Sequence, residues 1–170
     1  MAIITLGANA ITALPSGVGG KVLQTVSTTK TDTFATNPSS AWIDVTGLSV
    51  SITPSSASNK IFVVISIVGG GVTGVNIGFF RLVRDSTAIY VGNTAGSRTS
   101  SFATSIGSDT NASESVSGNF LDSPATTSST TYKIQTFSDN VIYVNRGSTD
   151  ADNAGRGRGA STITVMEIAG

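Results

Sequence analysis

The chain has 170 residues, and its 10 basic and 10 acidic side chains give a formal net charge of zero. Charged residues make up only 12% of the sequence, which leaves little electrostatic attraction for nucleic acid or anionic membranes. The absence of cysteine and histidine excludes disulfides, Cys-based zinc sites and most hydrolase triads. A chain of this length can bury enough surface to fold without such help, and we expect one domain over residues 21–170.

Residues 1–20 are apolar but interrupted by glycine and proline, which predicts an extended N-terminal arm. An apolar arm left in water would aggregate, so we expect it to dock on its own domain or on a neighbouring subunit. The alternative is a frayed terminus without a role. No basic segment precedes the apolar residues, so no signal peptide is predicted. The side chains expected to dock are Ile3, Ile4, Leu6, Ile11, Leu14 and Val18.

The strongest strand signal lies in residues 47–68, after a weaker strand in 21–36 and another in 41–45. The apolar residues are odd-numbered before Gly47 and even-numbered after it. One inserted residue keeps both sets on the buried face, which predicts a glycine-containing β-bulge there. Residues 48–52 alternate between apolar residues and serine, whereas residues 61–68 are apolar on both faces, as in a central strand. Pro54 and the small polar residues after it predict a turn. We therefore expect these two segments to be paired core strands.

The rest of the chain continues the strand pattern without helical periodicity. One hairpin is predicted from residues 75–84 and 88–91, and a second from 132–137 and 141–145. Residues 92–118 are rich in small polar residues and predict loops around one or two short strands. A last strand is expected at 161–168. Roughly ten strands separated by frequent turn signals favour an all-β fold, an antiparallel jelly-roll-like β-sandwich.

Three groups of polar residues are weak candidates for chemistry. Residues 150–153 resemble the start of a calcium loop, but the glycine is misplaced and Ser161 stands where the closing glutamate belongs, which favours a solvated loop. The two arginines of 155–159 have the chemistry to hold phosphates or single-stranded nucleic acid, yet the nearby aspartates favour an ion pair, local or between subunits. The spacing of Asp122 and Asp139 is compatible with the two carboxylates of a glycosidase, but nothing in the sequence singles out this pair. We therefore expect no catalytic, metal or cofactor-binding residues.

Aromatic residues fall at strand positions, where core or subunit contacts are favoured over a sugar-binding platform. They are Trp42, Phe79, Phe80, Phe102, Phe120, Tyr132, Phe137 and Tyr143.

Four segments, residues 45–61, 80–89, 120–127 and 158–168, resemble a module common in tailed bacteriophages, especially those of cyanobacteria and marine bacteria. The resemblance extends over residues 21–170. Similar modules occur at the ends of tail-fibre proteins and as small standalone virion proteins. The resemblance implies a trimeric β-structure with no catalytic residues to carry over.

The chain has neither the shaft repeats nor the coiled-coil heptads of long fibres. This favours a non-enzymatic capsid decoration (cement) protein on the capsid exterior, a homotrimer that binds the major capsid protein and bridges neighbouring capsomers. The alternative is a short tail-fibre or receptor-binding tip that contacts tail proteins and a host surface glycan, with an enzyme or lectin as a more distant third. Nucleic acid, membranes and cofactors are not expected partners.

Overall fold

A computed structural model describes residues 20–39, 41–70, 77–106, 111 and 113–170. These ranges form antiparallel β-strands, which confirms the predicted all-β class. No helix in the described ranges is long and apolar enough to cross a membrane. The predicted N-terminal arm lies outside the described residues. The strands are β1 (Val22–Lys30), β2 (Phe34–Thr36), β3 (Ile43–Ile52), β4 (Lys60–Gly70), β5 (Ile77–Arg84), β6 (Thr87–Tyr90), β7 (Ala103–Ile106), β8 (Ser113–Asp122), β9 (Thr130–Phe137), β10 (Ile142–Val144) and β11 (Ser161–Ile168).

The strands are divided between two sheets. In sheet A the order is β1-β11-β4, and β8 pairs with the other edge of β4. Beyond the start of β11, the short strand β10 pairs with the last residues of β4 and also with β2. In sheet B the order is β3-β9-β5-β6, and β7 pairs with the first half of β5. The two sheets enclose one continuous hydrophobic core.

Strand β4 is central, as predicted from its two-sided apolar sequence. It pairs with β11 along one edge and with β8 along the other. Its odd-numbered residues from Ile61 to Ile67 point into the core and are at most 1% exposed. Its even-numbered residues Phe62, Val64 and Val68 lie on the outer face and are half-buried. Opposite β4, sheet B supplies the core side chains Leu48, Val50, Ile52, Phe80, Leu82, Tyr132 and Ile134.

The predicted pairing of residues 48–52 with 61–68 is wrong. Strand β3 pairs with β9 in sheet B, whereas β4 belongs to sheet A. The connection over residues 53–59 is long enough to cross between the sheets, and Pro54 is buried within it. The apolar side chains of the two strands therefore meet across the core instead of side by side.

The second predicted hairpin is wrong for the same reason. Strand β9 pairs with β3 and β5, whereas β10 pairs with β2 and β4 in the other sheet. The crossing passes through Ser138, which is fully buried and whose hydroxyl accepts a hydrogen bond from the Asn140 backbone N–H. The first hairpin is confirmed, because β5 and β6 pair across a tight turn at Asp85, a residue with a φ of 53°.

The predicted bulge near Gly47 is confirmed. Between the pairs Asp44–Gln135 and Ser49–Lys133, four residues of β3 lie opposite the single residue Ile134 of β9. Gly47 has a φ of 81°, in the left-handed region that glycine adopts at little cost. The extra residues restore the inward direction after the parity change, so that Val45 and Leu48 are both buried.

Strand β8 lies within and beyond the segment predicted to be mostly loop. It pairs with β4 along its whole length, from Ser113 to Asp122. Its inward residues include Val116, Gly118 and Phe120, and Gly118 faces the stacked rings of Tyr90 and Phe102. A Cβ at Gly118 would lie 3.0 Å from a Tyr90 ring carbon, so the missing side chain makes room for rings from the other sheet.

Buried polar side chains hold the connections at both ends of the sandwich. At one end, Glu167 is 1% exposed and its carboxylate accepts hydrogen bonds from Gln24 Nε2 at 2.6 Å, Asn59 Nδ2 at 2.6 Å, Ser55 N at 2.7 Å and Ser55 Oγ at 2.8 Å. These bonds tie the crossing of residues 53–59 to β1 and β11. Burial alone would raise the pKa of Glu167, but the hydrogen bonds outweigh it and lower the pKa to about 2.

At the other end, Asn145 is fully buried with a φ of 64°. Its amide nitrogen donates to the carbonyl oxygens of Lys30 and Asp32 at 2.9 and 2.8 Å, and its amide oxygen accepts from Ser161 Oγ at 2.6 Å. This one side chain therefore joins the end of β1, the exit of β10 and the start of β11.

The central position of β4 makes a stability prediction. Replacing Ile65 with alanine should lower the free energy of unfolding by about 2 to 5 kcal/mol, because it leaves a cavity between the sheets. The matched control Val64→Ala, on the outer face of the same strand, should cost clearly less. Urea unfolding measures both values, and a loss below about 1 kcal/mol for Ile65→Ala would show that β4 is peripheral.

The Glu167 carboxylate makes a pH prediction. Its pKa is about 2 in the folded protein and 4.5 ordinarily, so its stabilising contribution is complete above about pH 4.5 and is lost as the pH falls towards 2. The shift corresponds to roughly 3 kcal/mol. Glu167→Gln should be less stable than the parent chain at neutral pH, and this difference should shrink steadily on acidification. A difference that stays constant down to about pH 2 would contradict the lowered pKa.

Candidate functional site

The outer face of sheet B carries a row of three aromatic side chains. Trp42 lies just before β3, and its ring centroid is 5.6 Å from that of Phe137 on β9. Phe137 is opposite Phe79 on β5, with ring centroids 6.0 Å apart. All three rings are half-buried and flank one another on three neighbouring strands. Ile77, which is 45% exposed, extends this apolar strip along β5.

A polar row runs beside the aromatic row. Gln135 on β9 stands between Asp44 on β3 and Arg81 on β5, because those residues are its register partners. Gln135 Nε2 donates to Asp44 Oδ1 at 2.6 Å, and Arg81 Nε and Nη2 donate to Gln135 Oε1 at 2.9 and 2.7 Å. The Arg81 guanidinium carbon lies 4.2 Å from the Trp42 ring centroid, which joins the two rows.

This row holds two basic side chains, Arg81 and Lys133, and one acidic side chain, Asp44. Lys133 Nζ forms an ion pair with Asp44 Oδ2 at 2.8 Å. Burial acts to raise the pKa of Asp44, but hydrogen bonds from Lys133 and Gln135 prevail and lower it. We call Trp42, Phe79, Phe137, Arg81, Gln135 and Asp44 the aromatic–arginine face. Its rings and its polar groups are held in place by one another before any partner arrives.

The aromatic–arginine face combines the residue types that dominate protein interfaces. Tryptophan and arginine are enriched among the side chains that supply most binding energy, and phenylalanine is enriched at interfaces in general. The face is built on strands of a rigid sheet instead of on a loop, so little order has to be gained on binding. The sequence pattern predicts the three aromatic residues on strands but gives no sign of Arg81, Gln135 and Asp44 as members of a site. Only the strand register brings those three together.

The weak glycosidase candidate is not assembled. Asp122 is 6% exposed, and its carboxylate accepts from Tyr132 Oη at 2.7 Å and from Arg84 Nη1 at 2.9 Å. Burial, with a smaller contribution from the bond to Asp122, raises the pKa of Tyr132 well above its ordinary value. Asp139 follows the far end of β9, and an eight-residue strand spans roughly 25 Å. The two aspartates therefore lie at opposite ends of the sandwich.

The loop after β10 forms a small polar cleft of about 250 Å³, lined by residues 150–153, Arg156 and Arg158. Asp150 Oδ1 lies 2.5 Å from Arg158 Nη2, and its Oδ2 lies 3.6 Å from Arg146 Nη1. This confirms the predicted local ion pair. Both oxygens of Asp150 face guanidinium groups, which compete with a calcium ion for them. Among the described residues, no group of three or more acidic, histidine or cysteine side chains is placed to hold a metal.

The other aromatic residues are divided between core and rim. Phe80 and Tyr132 are fully buried. Tyr90 stacks between Phe102 and Phe120 at one edge of the two sheets. Its ring centroid is 5.0 Å from that of Phe102 and 5.2 Å from that of Phe120. Tyr143 lies under the Arg146 guanidinium at 4.4 Å. The six apolar side chains predicted to dock the arm, from Ile3 to Val18, lie outside the described residues.

No protein-family model matches the chain, and no curated protein matches it.

Proposed function

We propose that the protein is a non-enzymatic structural component of a tailed-bacteriophage virion. In this proposal it is a capsid decoration (cement) protein on the capsid exterior, which binds the major capsid protein as a homotrimer and bridges neighbouring capsomers. The observation that carries the proposal is the aromatic–arginine face, which is preformed on a small neutral sandwich. The sequence resemblance of residues 21–170 to virion modules supplies the virion setting.

We also infer a jelly-roll topology for the sandwich. The inference is supported by the strand orders β1-β11-β4-β8 in sheet A and β3-β9-β5-β6 in sheet B. It is further supported by the alternation of the long strands, since β3, β4, β5, β8, β9 and β11 fall in turn in sheets B, A, B, A, B and A. A jelly roll wraps the chain in this way around one core.

A structural role is supported by how the chain uses its charged groups. Asp32, Asp122 and Asp150 form ion pairs with basic side chains of the same chain. The buried carboxylate of Glu167 is held by four hydrogen bonds. These groups hold loops and strand ends in place. A cement protein needs such rigidity, because a stiff body transmits load between the subunits it joins.

The proposal includes the arm of residues 1–20 as a second contact. Twenty residues in an extended conformation reach at most roughly 65 to 70 Å, enough to cross onto an adjacent subunit. If docking buries about 400 Å² of apolar surface at about 25 cal/mol per Å², it contributes several kcal/mol before the entropy of ordering is subtracted. Repetition at many symmetric sites would strengthen a shell even if each net gain is small.

The second candidate function is a short tail-fibre or receptor-binding tip. It is favoured by the position of Gln135, Asp44 and Arg81 beside the Trp42 ring. An aromatic ring next to amide, carboxylate and guanidinium groups has the chemistry to bind a sugar ring and its hydroxyls. In this case the aromatic–arginine face would bind a host surface glycan, and the protein would contact tail proteins.

The aromatic–arginine face can be tested on capsids that lack the protein. Trp42→Ala combined with Phe79→Ala should weaken decoration by about tenfold or more, because aromatic anchors supply most of the binding energy at such a surface. Thr131→Ala, on the same outer face but at the other end of β9, is the matched control and should bind like the parent chain. Quantitative pull-down with capsids gives both affinities, and urea unfolding checks that each variant is folded.

Unchanged capsid binding by the double variant would contradict the cement proposal. Imaging of labelled protein on intact particles separates the two candidates, since label only at the tail would favour the short-fibre alternative. Loss of binding to purified host polysaccharide in the same double variant would then assign the face to glycan recognition.

The arm makes a separate prediction. A chain lacking residues 1–20 should keep the β-sheet circular dichroism spectrum and the number of subunits of the full-length oligomer, yet no longer decorate capsids. Capsid binding as tight as that of the full chain would show that the arm is dispensable.

A further inference from the structure

We propose that the outer face of sheet A is the surface through which copies of this chain associate with one another. The inference rests on the self-association in the proposed function but not on the capsid. It names the surface and its occupant, the same face of another copy of the chain, with all copies of the trimer turning this face towards their shared axis. The observation behind it is the distribution of charge and apolar side chains over the two outer faces.

The outward positions of β1, β11, β4 and β8 form aligned rows across four strands. One row is mainly apolar: Met166 and Leu121 are both register partners of Phe62. Leu121 is 49% exposed, although it is a large apolar residue. Leu23 and Ile168 extend the apolar area towards the start of β1 and the end of β11. Sheet B lies on the opposite side of sheet A, so it does not cover these side chains.

The next rows consist mainly of hydroxyl-bearing side chains. Ser27 and Thr164 are register partners whose hydroxyl oxygens lie 2.7 Å apart. Ser66 lies between Thr162 and Ser117. Within the stretches 23–29, 162–168, 62–68 and 115–121, no outward side chain is charged. The nearest lysine in these strands, Lys60, stands at the rim, opposite Ile168.

An uncharged face of this kind is complementary to itself. A hydroxyl group donates and accepts hydrogen bonds, so a second copy can satisfy the same groups that it presents. No like charges oppose each other when two such faces meet, which removes the usual penalty on self-contact. The outer face of sheet B differs, because it displays Asp44, Arg81 and Lys133. A chain with zero net charge also lacks the long-range repulsion that keeps proteins apart.

The size of the face fits a subunit contact. Four strands about 4.8 Å apart, each about eight residues long at about 3.3 Å per residue, cover roughly 500 Å² of flat sheet. The side-chain relief makes the accessible area larger than this projection. A stable interface buries about 800 Å² on each partner, so the face supplies most of what one copy needs.

The test compares charge insertion on the two outer faces of the full-length protein. Thr164 in sheet A pairs with Ser27, and Thr131 in sheet B pairs with Ser51, with hydroxyl oxygens 2.7 and 2.8 Å apart. Thr164→Lys should raise the dissociation constant of the oligomer about tenfold or more, because it places an unpaired charge in the contact. Thr131→Lys should leave it unchanged. Sedimentation velocity over a micromolar concentration series measures both.

A monomeric parent chain, or an equal effect of the two lysines, would overturn the proposal. If Thr164→Lys does not fold, cross-linking of Ser66→Cys tests the proposal instead. The chain has no cysteine of its own, so the introduced thiol is the one that reacts. A short bismaleimide should cross-link Ser66→Cys into covalent dimers but not Ser51→Cys, which lies on sheet B. The reverse pattern, or no cross-link in either variant, would refute it. Because no capsid is present, these results are independent of whether the protein binds one.

Discussion

The fold depends on a strand that is hydrogen-bonded along both edges and apolar on both faces. In β4 the odd-numbered residues supply the centre of the core, and the backbone joins β11 to β8. The even-numbered residues Phe62, Val64 and Val68 then have to lie on the outer face. An isolated sandwich gains little from apolar residues there. The same two-sided sequence that makes β4 central thus also leaves an outer face whose apolar rows are best covered by another surface.

A second constraint comes from the crossings between sheets. Each time the chain leaves one sheet for the other, several backbone groups lose their ladder partners and need substitutes. At one end Glu167 accepts a hydrogen bond from the Ser55 backbone N–H, and at the other end Asn145 donates to the backbone carbonyls of Lys30 and Asp32. Both are buried and both contact a residue of β1 or its exit. The strand β1 is therefore fixed at its two ends.

Sequence periodicity predicted strands well and their partners poorly, for a physical reason. Alternation reports which side of a strand is buried, and this located β4, the β5–β6 hairpin and the bulge at Gly47. It does not report whether the next strand pairs beside the first or faces it across the core, so the partners of β3 and β10 were wrong. Residues 92–118 were expected to hold only short strands, because Gly118 interrupts the apolar alternation of β8 and the rings of Tyr90 and Phe102 fill that gap. The sequence indicated only the aromatic half of the aromatic–arginine face, because Asp44, Gln135 and Arg81 meet through strand register alone.

The two outer faces of a sandwich point in opposite directions, and this geometry links the two proposed surfaces. Copies that associate through the uncharged face of sheet A leave every aromatic–arginine face turned outward. An oligomer would then present several identical binding faces on one rigid body. Faces that point away from one another cannot all lie on one flat surface, so each of them contacts a different subunit. Self-association through the neutral face is therefore what would let one oligomer join the separate subunits that its faces bind.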